Sequence, residues 1–208
     1  MNFCDLAIVL KNTQLWENDR IVTVYTRLHG KLDIVFKSVR VPKAKLKGLS
    51  EIIVWGDYRL FHKNERSIPI CTGGEILSVF PSIRSDIKKM FLVYYFCEIM
   101  FRLTPANQPN EEKYNLMLSV LKELDSNRKV SVWMRSAFVL RFMELSGSGF
   151  EETAVGIDIR IWKILHSGSW AEVNALERND LAMNYTNELI QKFMGDHLNY
   201  KLKTEEFL

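Results

Sequence analysis

The stretch IVTVYTRLHGKLDIVFKSVR, residues 21–40, decides the fold of the N-terminal part of the chain. It is rich in β-branched and aromatic residues on both sides of a turn at His29–Gly30. After the turn, Leu32, Ile34 and Phe36 alternate with polar or charged residues, the period of two that marks a half-buried strand. The stretch therefore predicts two strands joined by a turn. The second has one side in a core and the other facing water or a polyanion.

Strand patterns continue on both sides of this stretch. We predict five strands, at about Leu6–Leu10, Ile21–Arg27, Leu32–Val39, Ile52–Phe61 and Ile68–Val79. Short consecutive strands of this number suit a small closed barrel, the architecture of the OB-fold, because closure removes exposed edges. Residues 1–80 are therefore predicted to form an OB-fold barrel.

After Pro81 the hydrophobic period becomes that of helices. Helices are predicted from a cap at Ser85 or Asp86 to Leu103, from a cap at Asn110, from Lys129 to Leu145 before Gly147, and at Ile157–His166 and Glu188–Tyr200. The predicted class is α+β, a five-stranded OB-fold barrel followed by an all-α domain, residues 81–208.

The composition excludes several classes of protein. Cys4, Cys71 and Cys97 lie far apart without a CxxC pair, which argues against a disulfide framework and a cysteine-rich zinc site. The N-terminus lacks the basic region and cleavage site of a signal peptide. The longest apolar stretch, residues 90–101, is shorter than the roughly 20 residues of a membrane span. We therefore expect a cytoplasmic protein that makes no contact with membranes.

The strongest electrostatic signal lies in residues 27–47, where seven basic residues face one acidic residue, Asp33. The candidate nucleic-acid-binding residues are Arg27, Lys31, Lys37, Arg40, Lys43, Lys45 and Lys47. We expect Pro42 and Gly48 to keep residues 37–47, here called the basic loop, extended along a phosphate backbone. Roughly five phosphate contacts would give binding that falls steeply with salt. The alternative is an ordinary solvated lysine-rich loop.

Nearby aromatic residues allow two interpretations. Tyr25, Tyr58 and His29 could stack on unpaired bases, although an aromatic side chain in a barrel strand is more often part of the core.

Motifs for catalysis are missing from the sequence. There is no GxxxxGK[ST], HExxH or GxSxG, and the four histidines are scattered. Acidic pairs, Asp57 with Glu51 and Glu151 with Glu152, could hold a metal ion for nuclease chemistry, but their spacing is that of ordinary solvated acids. We expect no enzymatic activity, no metal and no cofactor.

A second candidate site lies in WMRSAFVLRFMEL, residues 133–145. Arg135, Phe138 and Arg141 stand beside an apolar helix face that could receive an acidic, aromatic-ended partner peptide. Most aromatic residues of this half are expected to be core.

Four motifs, in their order along the chain, carry a resemblance to one protein family. ENDRIVTVYTRLHGKLDIVFKSVR is similar to E-x-D-R-I-V-x-x-x-T-x-x-x-G-K, the opening motif of the RecO family of recombination mediators. GEILSVFPSIRSDIKKM resembles its passage from last strand to first helix, and RSAFVLRFMELSGSG its helix with a glycine turn. DHLNYKLKTEEFL resembles its L-K-S-R-x-F-L ending.

The resemblance implies an OB-fold with a helical domain that binds single- and double-stranded DNA in gap and double-strand-break repair. Family members anneal complementary strands, engage the C-terminal tail of single-strand-binding protein and, with RecR, help to load RecA, so a bacterial, nucleoid-associated location is expected. Lys37 and Arg40 match the basic positions of the family's A-K-G-A-R motif. Arg20 matches the arginine of D-R-I-V and could instead serve the fold by pairing with Asp19 or Glu17.

The chain departs from the family pattern in two places. Many members carry a four-cysteine zinc module after the glycine turn, but residues 150–185 contain no cysteine, so we expect that module to be absent. Paired arginines often precede the helix phenylalanine, whereas this chain has Arg135-Ser136-Ala137 before Phe138, which predicts weaker or shifted docking of the single-strand-binding protein tail. The alternatives to a DNA-repair mediator are an RNA-binding OB-fold protein and a metal-dependent nuclease.

Overall fold

The first part of the chain is a closed five-stranded barrel in the computed structural model, which describes residues 1–64, 67–148, 158–198 and 202–204. The strands are β1 (Asn2–Leu15), β2 (Asp19–Thr26), β3 (Gly30–Phe36), β4 (Trp55–Phe61) and β5 (Ile70–Ser78). Their order around the barrel is β1-β2-β3-β5-β4. All neighbours are antiparallel except β3 and β5, which meet in parallel at Val35 and Ile70. The predicted barrel followed by helices is confirmed.

The barrel core follows the alternation read from the sequence. Ile34 and Phe36 of β3 are buried, together with Val22 and Val24 of β2, while Leu32 packs against the same cluster at its margin. Each fully buried apolar side chain of this kind contributes roughly 1.5–3 kcal/mol. The barrel core is therefore formed in part by β2 and β3, the two strands that the sequence pattern predicts most clearly.

β1 runs from Asn2 to Leu15 and is longer at both ends than the predicted Leu6–Leu10. Two other differences follow from backbone conformations with positive φ. β3 ends at Phe36 rather than Val39, because Ser38 has a φ of 53°. β4 begins at Trp55 rather than Ile52, because Ile53 has a φ of 65°. An extended strand excludes both conformations.

Seven helices lie in the described residues: α1 (Pro81–Arg84), α2 (Ile87–Leu103), α3 (Glu111–Ser126), α4 (Met134–Glu144), α5 (Ile159–Ser167), α6 (Trp170–Ala175) and α7 (Asp180–His197). The predicted caps at Asp86 and Asn110 are confirmed, since their carboxylate and amide oxygens accept backbone N–H groups of the first turn. Gly147, with a φ of 77°, ends the predicted third helix.

The helices differ from the prediction in four places. The short helix α1, Pro81–Arg84, was not predicted. α4 begins at Met134 rather than Lys129, and α7 begins eight residues before Glu188, capped by Asn179. The helix α6 was missed, although Ser169 and Glu172 form a capping box at its start. The predicted ends at Ile157 and Tyr200 lie outside the described residues.

The chain forms two compact units. One comprises Met1–Pro81 and Val93–Tyr114, and the other Ser82–Leu92 and Asn115–Leu208. Residues 93–114 group with the barrel, so these units do not coincide with the two predicted domains, 1–80 and 81–208. The predicted domain boundary at residue 80 stays a prediction. No helix within the described ranges combines the length and apolar character needed to cross a bilayer.

The three cysteines provide a test of the core. Cys71 and Cys97 are buried, and burial raises the pKa of Cys71 to about 11 and that of Cys97 to about 12, whereas Cys4 is exposed. Thiolates are the reactive form. At pH 8 we expect a thiol-reactive chromogen to label one thiol quickly and the other two only in denaturant. Cys4→Ser should abolish the fast phase; fast labelling of a second thiol in that variant would contradict the packing.

Candidate nucleic-acid interface

The basic loop is a succession of tight turns rather than an extended segment. Backbone N–H groups of Ala44 and Lys47 donate to the carbonyl oxygens of Val41 and Ala44, each over 3.2 Å. Lys43 has a φ of 65°, which turns the chain again. The expectation that Pro42 keeps the loop extended is therefore wrong. Pro42 lies in a compact coil, so the loop presents a small cationic surface rather than a linear track.

Apolar side chains fix the basic loop to the barrel. Val39 is buried within the loop and Leu49 just after it, both in the barrel's hydrophobic core, while Leu46 packs against the same core. The basic side chains between these anchors are all exposed: Lys37, Arg40, Lys43, Lys45 and Lys47. Within the part of the chain that the structure describes, the four lysines make no ion pair. Their charges are therefore available to a polyanion.

Arg40 joins the basic loop to the turn between β1 and β2. Its guanidinium donates to the carbonyl oxygen of Glu17 over 2.9 Å, and its backbone N–H donates to that of Asn18 over 3.1 Å. The carboxylate of Asp19 accepts the backbone N–H of Ser38 over 2.7 Å. The turn and the start of the basic loop are thus held together as one surface.

The other two predicted basic residues are engaged elsewhere in the same compact unit. Arg27 forms an ion pair with Glu111, with an N–O distance of 2.5 Å. The Lys31 ammonium donates to the carbonyl oxygen of Phe101 and lies 5.3 Å from the centre of its ring. Burial lowers the pKa of Lys31. Five of the seven predicted residues therefore lie on the basic loop. The other two, Arg27 and Lys31, contact other residues of their own unit.

Of the two interpretations of the nearby aromatic residues, the structure supports the core for Tyr25 and Tyr58. Tyr58 is fully buried and Tyr25 nearly so, and their hydroxyls donate to backbone carbonyls, so neither ring can meet a base. Burial raises the pKa of Tyr25 to about 12. His29 is half-exposed but is held by the buried carboxylate of Asp5 at 2.7 Å. Trp16, which the sequence reasoning missed, is 76% exposed in the turn to which Arg40 of the basic loop is hydrogen-bonded.

Arg20 serves the fold, through a different partner from those expected. Its guanidinium lies 2.7 Å from the Glu51 carboxylate and 3.0 Å from the Ser50 hydroxyl. Neither Asp19 nor Glu17 is its partner. Because Ser50 and Glu51 lie three and four residues after Lys47, this contact holds the chain just beyond the end of the basic loop.

The three residues proposed for a partner peptide are occupied within their own unit. Phe138 is fully buried, and the Arg141 guanidinium donates to the carbonyl oxygens of Leu165, Ile164 and Gly168 while lying 4.2 Å from the Trp170 ring. Arg135 donates to the Asn187 side chain over 2.5 Å. They do not form an open peptide-binding face in this arrangement.

Of the acidic residues considered for nuclease chemistry, the structure describes Glu51 and Asp57. Glu51 is paired with Arg20, Asp57 lies in β4, and Glu151 and Glu152 lie outside the described residues. Among the residues that the structure describes, no three histidine, cysteine, aspartate or glutamate side chains are arranged to hold a metal ion.

Comparison with known families matches two models to the chain. "Recombination protein O N terminal" covers residues 1–80 and "Recombination protein O C terminal" covers residues 84–154. A DNA repair protein RecO of Dehalococcoides mccartyi is 30% identical over 146 residues, 70% of this chain and 56% of that protein. Those of Listeria monocytogenes and Listeria innocua are 30% identical over 125 residues, 60% of this chain and 48% of theirs. The chain thus matches about half the length of these relatives.

Proposed function

Because the chain belongs to the RecO family, we propose that it is a DNA-binding repair and recombination mediator that acts by binding alone. In this proposal, phosphates of a DNA strand occupy the basic loop. The barrel, residues 1–80, is the DNA-binding domain, and the helical domain, residues 81–208, contacts protein partners. The relatives' name, DNA repair protein, supports the cellular role.

The observation that carries the proposal is the set of exposed cations on one anchored loop. Lys37, Lys43, Lys45 and Lys47 face solvent without an acidic partner among the described residues, and Arg40 lies between them. A polyanion that meets them releases its condensed counterions, which makes binding favourable without reading sequence. Sequence preference is therefore expected to be weak.

Strand annealing follows from the same chemistry. Neutralising the phosphates of two strands lowers their mutual repulsion, and contacts to the backbone leave the base edges accessible for pairing. In this proposal, annealing involves no covalent step, metal ion or cofactor, and the protein does not act as an enzyme.

The proposed partners come from the family resemblance. They are single- and double-stranded DNA, RecR, the C-terminal tail of single-strand-binding protein and, indirectly, RecA during its loading onto gaps, in a nucleoid-associated location. The engagement of Arg135, Phe138 and Arg141 within the fold argues that the tail docks through other residues of the helical domain.

Titration of labelled DNA by fluorescence polarisation at increasing salt tests the proposal. Five cations on single-stranded DNA should give a slope of about −3.5 in log K against log salt. An affinity that does not change with salt would refute the proposal. Stronger binding to an RNA of the same sequence would favour the RNA-binding alternative, and magnesium-dependent cleavage of the probe would establish a nuclease.

A further inference from the structure

Trp16 stands at the tip of the hairpin formed by β1 and β2, with 76% of its surface exposed. It is one of five tryptophans, all within the described residues. Trp133 and Trp162 are buried, while Trp55 and Trp170 are partly buried and donate their indole N–H groups to Tyr114 and Ser119. Trp16 therefore differs from the others in presenting its ring to solvent.

Neither the backbone conformation at position 16 nor the surroundings of the side chain favour a tryptophan there. Its φ of 51° is in the left-handed region, which is unfavourable for a bulky L-residue and costs nothing for glycine. Its exposed ring contributes little apolar burial. Local stability thus gives no reason for a tryptophan here, and an outlier of this kind points to a role in binding.

The turn that carries Trp16 is tied to the basic loop. Arg40 binds the carbonyl oxygens of the two residues after Trp16, and the side chain of Gln14 donates to the carbonyl oxygen of Trp16 over 3.0 Å. These bonds hold the backbone on both sides of the indole. The ring therefore stands at one end of the cationic surface on a support that is already ordered.

We propose that Trp16 stacks on an unpaired base of the strand whose phosphates lie on the basic loop, which makes the surface selective for single-stranded DNA. This inference rests on the proposed function. Base–aromatic stacking tolerates any sequence because every base has a flat face. Bases inside a duplex are already stacked on one another, so duplex DNA would use the lysines alone. Glu17, the next residue along the chain, is exposed, and its carboxylate would repel a phosphate in this turn, consistent with a base rather than the backbone lying there.

The test compares Trp16→Gly, Trp16→Phe and the parent chain. Trp16→Gly relieves the left-handed backbone while removing the ring, so its melting temperature should not fall. We expect it to weaken binding of a single-stranded oligonucleotide about tenfold, with the salt slope and duplex binding unchanged. Trp16→Phe should recover most of the affinity. Oligonucleotide addition should quench the parent's tryptophan fluorescence, and both variants should lose that quenching.

Leu181→Ala is the matched control, because Leu181 is an exposed apolar residue, on α7. It should bind DNA like the parent. If the parent binds DNA with the expected salt slope but Trp16→Gly has the same affinity and the quenching persists, the stacking role is overturned while the proposed function stands. A Trp16→Gly variant that binds DNA like the parent but no longer binds a protein partner would also overturn the stacking role. A parent chain that binds no DNA would instead refute the proposed function.

Discussion

Replacing Lys37, Lys43, Lys45 and Lys47 together by glutamine is expected to weaken binding of single-stranded DNA by roughly two to three orders of magnitude at about 0.1 M salt. Each lysine lost removes one phosphate contact and the counterion release that accompanies it. The slope of log K against log salt should therefore become shallower by about 2.8. Glutamine keeps the aliphatic stem and the backbone turns of the loop, so the change is confined to charge.

A matched variant separates the loop from the overall charge of the protein. Glutamine at Lys63, Lys88, Lys163 and Lys192, which are exposed lysines outside the loop, gives the same change in net charge. We expect this variant to keep nearly all of the parent's affinity and slope in the polarisation titration. If both variants lose affinity equally, DNA responds to net charge and not to the basic loop.

Arg141→Met is expected to lower the free energy of unfolding by about 3 kcal/mol, because it removes charge-assisted hydrogen bonds to three carbonyl oxygens near the end of α5. The last carbonyl groups of a helix have no partner within the helix. Losing the guanidinium leaves the carbonyl oxygens of Leu165 and Gly168 without this donor, whereas that of Ile164 keeps the Gly168 N–H over 3.0 Å. The substitution also removes the stacking of the guanidinium on Trp170. Urea denaturation followed by circular dichroism measures the loss.

Arg135→Met provides the comparison, since Arg135 makes a hydrogen bond to one side chain, Asn187, and should cost about 1 kcal/mol. The outcome that contradicts the structural role of Arg141 is an Arg141→Met variant of unchanged stability that no longer binds the acidic tail peptide of single-strand-binding protein. That result would restore Arg141 to the partner-binding role predicted from the sequence.

The sequence was most informative where local chemistry decides the structure. The alternation of Leu32, Ile34 and Phe36 predicted β3, and the caps at Asp86 and Asn110 needed only the residues within one helical turn. Charge counting likewise found the basic loop, because counting needs no geometry. Such features depend on neighbours within a few positions along the chain.

Features that depend on distant residues could not be predicted in the same way. The sequence does not show that the Lys31 ammonium donates to the carbonyl oxygen of Phe101. Nor does it show that the Arg141 guanidinium donates to three carbonyl oxygens more than 20 residues away. Trp16 was missed because it falls in the segment between the predicted strands Leu6–Leu10 and Ile21–Arg27, to which no element was assigned. Its exposure follows from the length of β1, which carries the turn to residues 16–18, beyond the predicted strand end at Leu10.

The anchoring of the basic loop by Val39, Leu46 and Leu49 affects the thermodynamics of association. A mobile lysine-rich loop would lose conformational entropy when it settled on a strand, and that loss would weaken binding. In this chain the loss has already occurred during folding, offset by the apolar contacts of the three anchors. Substitutions that loosen those anchors would then weaken affinity while leaving every positive charge in place.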